Sequence, residues 1–127
     1  MIRCVLDASA LLAMLHNEPG GEGVRPQLPQ ASISSVNWAE VVQKCLARGV
    51  ETTGLRTDLE ALGLQISPFT SEDAETSGRL WTVTRSLGLS LGDRACLALG
   101  LRLSVPVLTA DKSWSELHLD IPIQIIR

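Results

Sequence analysis

Five short apolar runs rich in β-branched residues, at about 2 to 6, 31 to 34, 64 to 67, 105 to 109 and 122 to 126, are separated mostly by segments of helix length. No other feature constrains the chain as tightly. Parallel strands need crossover connections, and crossover helices cover the faces of the sheet they connect. The expected fold is therefore α/β: a three-layer sandwich with a central parallel sheet of four or five strands and helices on both faces. The helical segments read as 8 to 16, 35 to 48, 52 to 62, 71 to 87 and 90 to 103. Ser35 opens one and Gly49 closes it; Thr70 or Ser71 opens the next and Gly88 follows its end. Between the first helix and the second strand, "NEPGGEGVRPQLPQ" reads as a loop with room for one short helical turn.

A chain of 127 residues accommodates one domain, residues 1–127, with a single substantial core. At 45% hydrophobic and 20% charged residues it falls outside the disordered and fibrous classes. The net charge of -3 argues at first against a nucleic-acid partner, which usually demands a basic footprint. Setting aside four acids for a metal site leaves a remainder of +1, and divalent ions reverse the local sign. The cations are nine Arg against two Lys, a bias toward the planar fork that suits phosphate oxygens, although solvated surface arginines satisfy the same count.

Cys4, Cys45 and Cys96 are odd in number, widely spaced and set among apolar neighbours, which favours buried thiols over a disulfide framework or a zinc site. The first strand begins at Ile2 and no apolar stretch is long enough to span a bilayer, so a cytoplasmic location and no membrane association are expected. There is no G-x-S-x-G, P-loop or G-x-G-x-x-G.

The acids carry the chemistry. In "RCVLDASALL" a core strand stops at Asp7, and "VPVLTAD" ends the same way at Asp111. Open parallel sheets bind ligands outside the carboxyl ends of their strands, so the two could share a site. Asp7 also suits a helix N-cap, though a carboxylate between a core strand and an apolar helix is costly without a cation or donors. For Asp111 the competing role is a turn residue. Asp93, in "LSLGDRACLALG", forms a capping-box pattern with Ser90 and also shares an inward stripe with Cys96, Leu97 and Gly100. For Glu40, in "SSVNWAEVVQKCLARG", a core stripe through Trp38, Val42, Cys45 and Leu46 would leave the carboxylate in solvent beside Lys44. Its place early in a helix that follows the second strand argues the opposite. Glu72, Asp73 and Glu75 cluster in the first turn of another helix, where acids suit the dipole.

With Asp7, Glu40, Asp93 and Asp111 in that order, the chain resembles PIN-domain ribonucleases and, more narrowly, VapC-type toxins of bacterial toxin-antitoxin pairs. The resemblance rests on "VLDASALLA", "SSVNWAEVV", "LSLGDRACLALG" and "VLTADKSW" and spans nearly the whole length. It implies a PIN-like sandwich and an acidic metal site of Asp7, Glu40, Asp93 and Asp111, with Ser9 and Thr109 as supporting hydroxyls. It further implies Mg2+ or Mn2+, hydrolysis of RNA to 5′-phosphate and 3′-hydroxyl ends, a homodimer, and a small VapB-like antitoxin partner. Arg85 and Arg94 are candidate RNA contacts near the site edge. Physically, four clustered carboxylates need divalent cations to stay ionised, and oxygen-only ligands suit Mg2+ or Mn2+ better than zinc. The alternative is a catalytically inactive PIN-fold module that acts by binding protein or RNA. A haloacid-dehalogenase-type phosphatase needs a second acid where Ser9 stands, and a response-regulator receiver needs an acceptor Asp that "LQISPFTS" lacks.

Overall fold

The computed structural model describes residues 1–127. Strands β1 (Cys4–Leu6), β2 (Ala31–Ser34), β3 (Gln65–Ser67), β4 (Val107–Thr109) and β5 (Ile123–Ile125) form one sheet in the order β3-β2-β1-β4-β5, with every neighbouring pair parallel. Helices α1 (Ala8–Leu15), α2 (Gly21–Val24), α3 (Ser35–Ala47), α4 (Leu55–Ala61), α5 (Ser71–Thr84) and α6 (Leu91–Leu103) make the connections. The expected five strands and three-layer α/β architecture are both present.

Alternation along the strands sorts the side chains into two cores. Cys4, Leu6, Ile33 and Leu108 point to one face and pack with Leu11, Val41, Cys45 and Leu59 from α1, α3 and α4. Val5 and Val107 point to the other and pack with Leu80, Cys96, Leu97 and Leu99 from α5 and α6, together with the fully buried Trp114. Burial of each such large side chain contributes about 1.5–3 kcal/mol. Gly100 lets α6 lie close on β4: a Cβ there would meet Val107 Cγ2 at 2.5 Å. Two capping boxes start the helices of this layer, Thr70 with Asp73 on α5 and Ser90 with Asp93 on α6. Asp73 also receives Arg102 Nε at 2.9 Å and Nη2 at 3.1 Å, a forked pair that ties α5 to α6.

The segment expected as a loop is more ordered than its composition suggests. α2 runs directly into a 3-10 helix, Arg25–Gln30. Pro26 sits where the first N–H groups need no partner, and buried Val24 and Leu28 anchor the segment to the core. The fourth helix is shorter than the expected 52 to 62, because Gly54 in a left-handed conformation precedes its start. The fifth tightens to a 3-10 turn over Arg85–Leu87. All three cysteines are buried and unpaired, as their apolar surroundings implied. No helix is long and apolar enough to cross a membrane.

Candidate active site

The chain moves from β1 to β2 on one side and later crosses to β4 on the other, so the connections diverge between β1 and β4. The crevice outside the carboxyl ends of these strands is where the backbone leaves room for a ligand. A cavity of about 400 Å³ lies there, and Asp7, Ser9, Glu40, Asp93 and Asp111 line it. The four acids selected from sequence, spread over more than a hundred residues, are thus brought to one pocket.

Asp7 continues the β1 ladder, its N–H donating to the Leu108 carbonyl at 2.9 Å. It occupies the N-cap position of α1, yet its side chain caps nothing. Oδ2 instead accepts from Ser9 Oγ at 2.6 Å and Thr109 Oγ1 at 2.9 Å. Only 5% of the residue is exposed. Burial pushes its carboxyl up from 3.8 to about 6; the Ser9 and Thr109 hydrogen bonds oppose that rise, and the charges of Asp93 and Glu40 add to it. The two hydroxyls also organise the opposite rim. Ser9 Oγ accepts from the Ala110 N–H at 2.9 Å and Thr109 Oγ1 from the Asp111 N–H at 3.1 Å.

Asp111 and Asp93 do two jobs each. Asp111 Oδ1 accepts from the Ser113 N–H at 3.0 Å and caps the 3-10 helix Lys112–Glu116, while its residue lines the pocket. Asp93 Oδ2 accepts from the Ser90 N–H at 2.9 Å, closing the capping box at the pocket wall. Capping and site roles were alternatives in the sequence; the geometry satisfies both. Beneath them, burial and the charges of Asp7, Asp93 and Glu40 raise the Cys96 thiol well above its ordinary range.

Glu40 corrects the periodicity. The buried stripe of α3 is Asn37, Val41 and Cys45, whereas Leu46 is 58% exposed and Trp38 and Val42 are half-buried. That rotates the helix from the expected stripe and turns Glu40 into the pocket rather than into an ion pair with Lys44. Asn37 is fully buried and donates through Nδ2 to Glu40 Oε1 at 2.8 Å and to the Gly92 carbonyl at 2.9 Å. A Cβ on Gly92 would meet Glu40 Oε2 at 2.5 Å. Neither Asn37 nor Gly92 stood out in the sequence; the available signal was an Asn three residues before the acid and a Gly beside Asp93.

The cations lining the cavity are Lys44, Arg48 and Arg127. Arg85 and Arg94 do not line it. The Arg85 guanidinium stacks 5.1 Å from the Trp81 ring, and Arg94 Nη1 donates to the Ser77 carbonyl at 2.8 Å, bracing α6 on α5. Asp7, Ser9, Glu40, Asp93 and Asp111 present carboxylate and hydroxyl oxygens to the pocket, donors that suit a hard divalent ion, and the His16 imidazole also lines it. No three acidic, histidine or cysteine side chains form a preassembled ligand set. Asp93 and Asp111 are tied instead to the Ser90 and Ser113 N–H groups, and Glu40 to Asn37.

A parallel sheet ordered β3-β2-β1-β4-β5 with an acidic crevice at its switch point defines a three-layer α/β domain. The chain belongs to the PIN domain family, whose model matches residues 4–118. Its fold is shared with DNA-bound VapBC from Salmonella typhimurium, at 14% identity and TM-score 0.74 over 100% of both chains. It is also shared with FitAcB from Neisseria gonorrhoeae, at 19% identity and TM-score 0.71 over 95% of this chain and 96% of that one. A toxin-antitoxin complex from Klebsiella pneumoniae gives 19% identity and TM-score 0.69 over 93% and 94%. No curated protein sequence matches the chain significantly.

Proposed function

We propose that the chain is a Mg2+- or Mn2+-dependent endoribonuclease, the toxin of a type II toxin-antitoxin pair, acting as a cytoplasmic homodimer restrained by a small VapB-like antitoxin. The observation that carries the catalytic reading is the buried Asp7 carboxylate in one cavity with Glu40, Asp93 and Asp111. An apolar setting and like charges oppose its ionisation, and a divalent cation removes both penalties. Membership of the PIN domain family supports nuclease chemistry, and the toxin-antitoxin complexes among its structural neighbours support the antitoxin partner.

In this reading Asp7, Asp93 and Asp111 hold the ion directly and Glu40 holds it through water. The bound ion supplies Lewis acidity and charge neutralisation for hydrolysis of a phosphodiester. Ser9 and Thr109 keep Asp7 ionised and aimed, since hydrogen bonds to the charged form lower its proton affinity. Asn37 holds Glu40 in place. Metal-assisted attack by water needs no side-chain nucleophile, and Cys96 is fully buried with its thiol raised well above its ordinary range by burial and the neighbouring acids. The reading is tested by incubating the purified chain and its Asp7→Asn variant with RNA in Mn2+ and in chelator. Cleavage to 5′-phosphate ends by the intact chain alone, and only with the ion, is expected. Undiminished cleavage by Asp7→Asn, or activity indifferent to chelation, refutes it.

A further inference from the structure

The acids occupy only part of the cavity. Glu40, Lys44 and Arg48 follow one another at four-residue intervals along α3 and its C-cap, and all three line the same pocket. Each interval advances about 6 Å along a helix axis. That is the scale on which successive phosphates of a single strand follow one another, so a strand whose reacting phosphate lies at the acids would run past Lys44 and then Arg48. Cations near the end of a helix already suit its dipole, but the dipole demands no second wall. Here there is one. Arg127, from the segment after β5, lines the cavity as well, and its Nη1 donates to the Pro19 carbonyl at 3.2 Å. Glu18 stands between the guanidinium groups, 3.9 Å from Arg48 Nη1 and 3.6 Å from Arg127 Nη1. Those separations exceed hydrogen-bond length, so Glu18 attracts the two arginines without a hydrogen bond to either, and apart from the Arg127 Nη1 bond to Pro19 their N–H groups can meet another acceptor. The Arg48 side chain is largely exposed and makes no hydrogen bond.

We propose that Lys44, Arg48 and Arg127 form a track that grips the phosphates flanking the bond to be cut, orienting a single RNA strand across the acidic floor. The ligand class rests on the nuclease reading above. The residues bind and position; they contribute no proton or nucleophile. A single strand fits better than a duplex, because its flexible backbone can pass the exposed Lys44 and Arg48 and still bend into the acidic crevice they border.

The test measures binding of a single-stranded RNA oligonucleotide of mixed sequence to the full chain carrying Asp7→Asn, in Mg2+, by fluorescence anisotropy over a range of salt. Adding Lys44→Gln and Arg48→Gln together is expected to weaken binding about tenfold near physiological salt and to flatten the slope of log K against log salt by about 1.4. The charge-preserving pair Lys44→Arg with Arg48→Lys is expected to keep the original slope. In the chain with Asp7 intact, the Gln pair is expected to raise KM with little change in kcat. An unchanged salt slope overturns the proposal even if the intact chain cleaves RNA, and so does equal weakening by both pairs. Absence of cleavage by the intact chain bears on the nuclease reading and leaves the binding result to stand or fall by itself.

Discussion

Asn37 Nδ2 donates to Glu40 Oε1 at 2.8 Å, and it is the only side chain that fixes that carboxylate. The same amide reaches the Gly92 carbonyl at 2.9 Å, so α3 and the first turn of α6 are set against each other by one buried group. Asn37→Ala is expected to cost about 1–3 kcal/mol of stability through loss of the two hydrogen bonds this buried amide makes. It is also expected to lower divalent affinity about 10–100-fold, the usual effect of losing a group that orients a ligand. Initial cleavage rates against Mn2+ concentration, beside urea unfolding, check both figures.

Gly92→Ala separates activity from stability. A Cβ at Gly92 would meet Glu40 Oε2 at 2.5 Å, and the flexible glutamate would give way rather than the backbone. In a helix the exchange of Gly for Ala favours folding by up to about 1 kcal/mol. The expected variant therefore melts no lower than the parent yet needs more Mn2+ for half-maximal cleavage. Calorimetry and metal titration on the same sample read the two effects apart.

Stability should depend on pH through Asp7. Its carboxyl is pushed from 3.8 to about 6 by burial and by neighbouring charge, so the folded chain binds this proton more tightly than the unfolded one. The sign follows directly: the stabilising contribution is full below about pH 4 and is lost as pH rises to about 6. Above that pH the ionised group costs roughly 3 kcal/mol in the absence of a cation. Asp7→Asn escapes the cost. In chelator the variant should be the more stable protein at neutral pH, and the two should converge near pH 4. Adding Mg2+ should stabilise the parent and not the variant.

Arg102→Leu should destabilise the chain without touching the pocket. Asp73 is 2% exposed and would keep only its capping contacts at Thr70. Breaking a buried pair costs up to about 3–5 kcal/mol, and the partial exposure of Arg102 places the expected loss at roughly 2 kcal/mol. Denaturant midpoints measure the loss, and unchanged divalent affinity shows that it is local to the α5–α6 seam.

The strand-helix alternation carried the fold, because β-branched runs and helical spacing are local properties that the sheet preserved at all five positions. Asp7 and Asp111 were legible for the same reason: an acid at the end of an apolar run is visible in the run itself. Glu40 was legible by its place after a strand but not by its face. The inward stripe of α3 begins with a polar residue, Asn37, and ends with Leu46 exposed, so hydrophobic spacing pointed the wrong way. The cationic wall was not legible. Lys44 and Arg48 belong to α3 and its C-cap while Arg127 follows β5, so no local pattern joins them, and Arg94, which stood next to a site acid in sequence, is spent bracing two helices.

The pairing of Val5 with Val107 and of Leu6 with Leu108 has a temporal side. Asp7 precedes the hydroxyl of Thr109 and the carboxylate of Asp111 by more than a hundred residues, so synthesis delivers it well before them. Until β4 zips onto β1, an unfinished polypeptide holds an acid with no floor beneath it and no opposite rim. The acidic crevice therefore cannot exist on a growing polypeptide and appears only when β4 has joined β1.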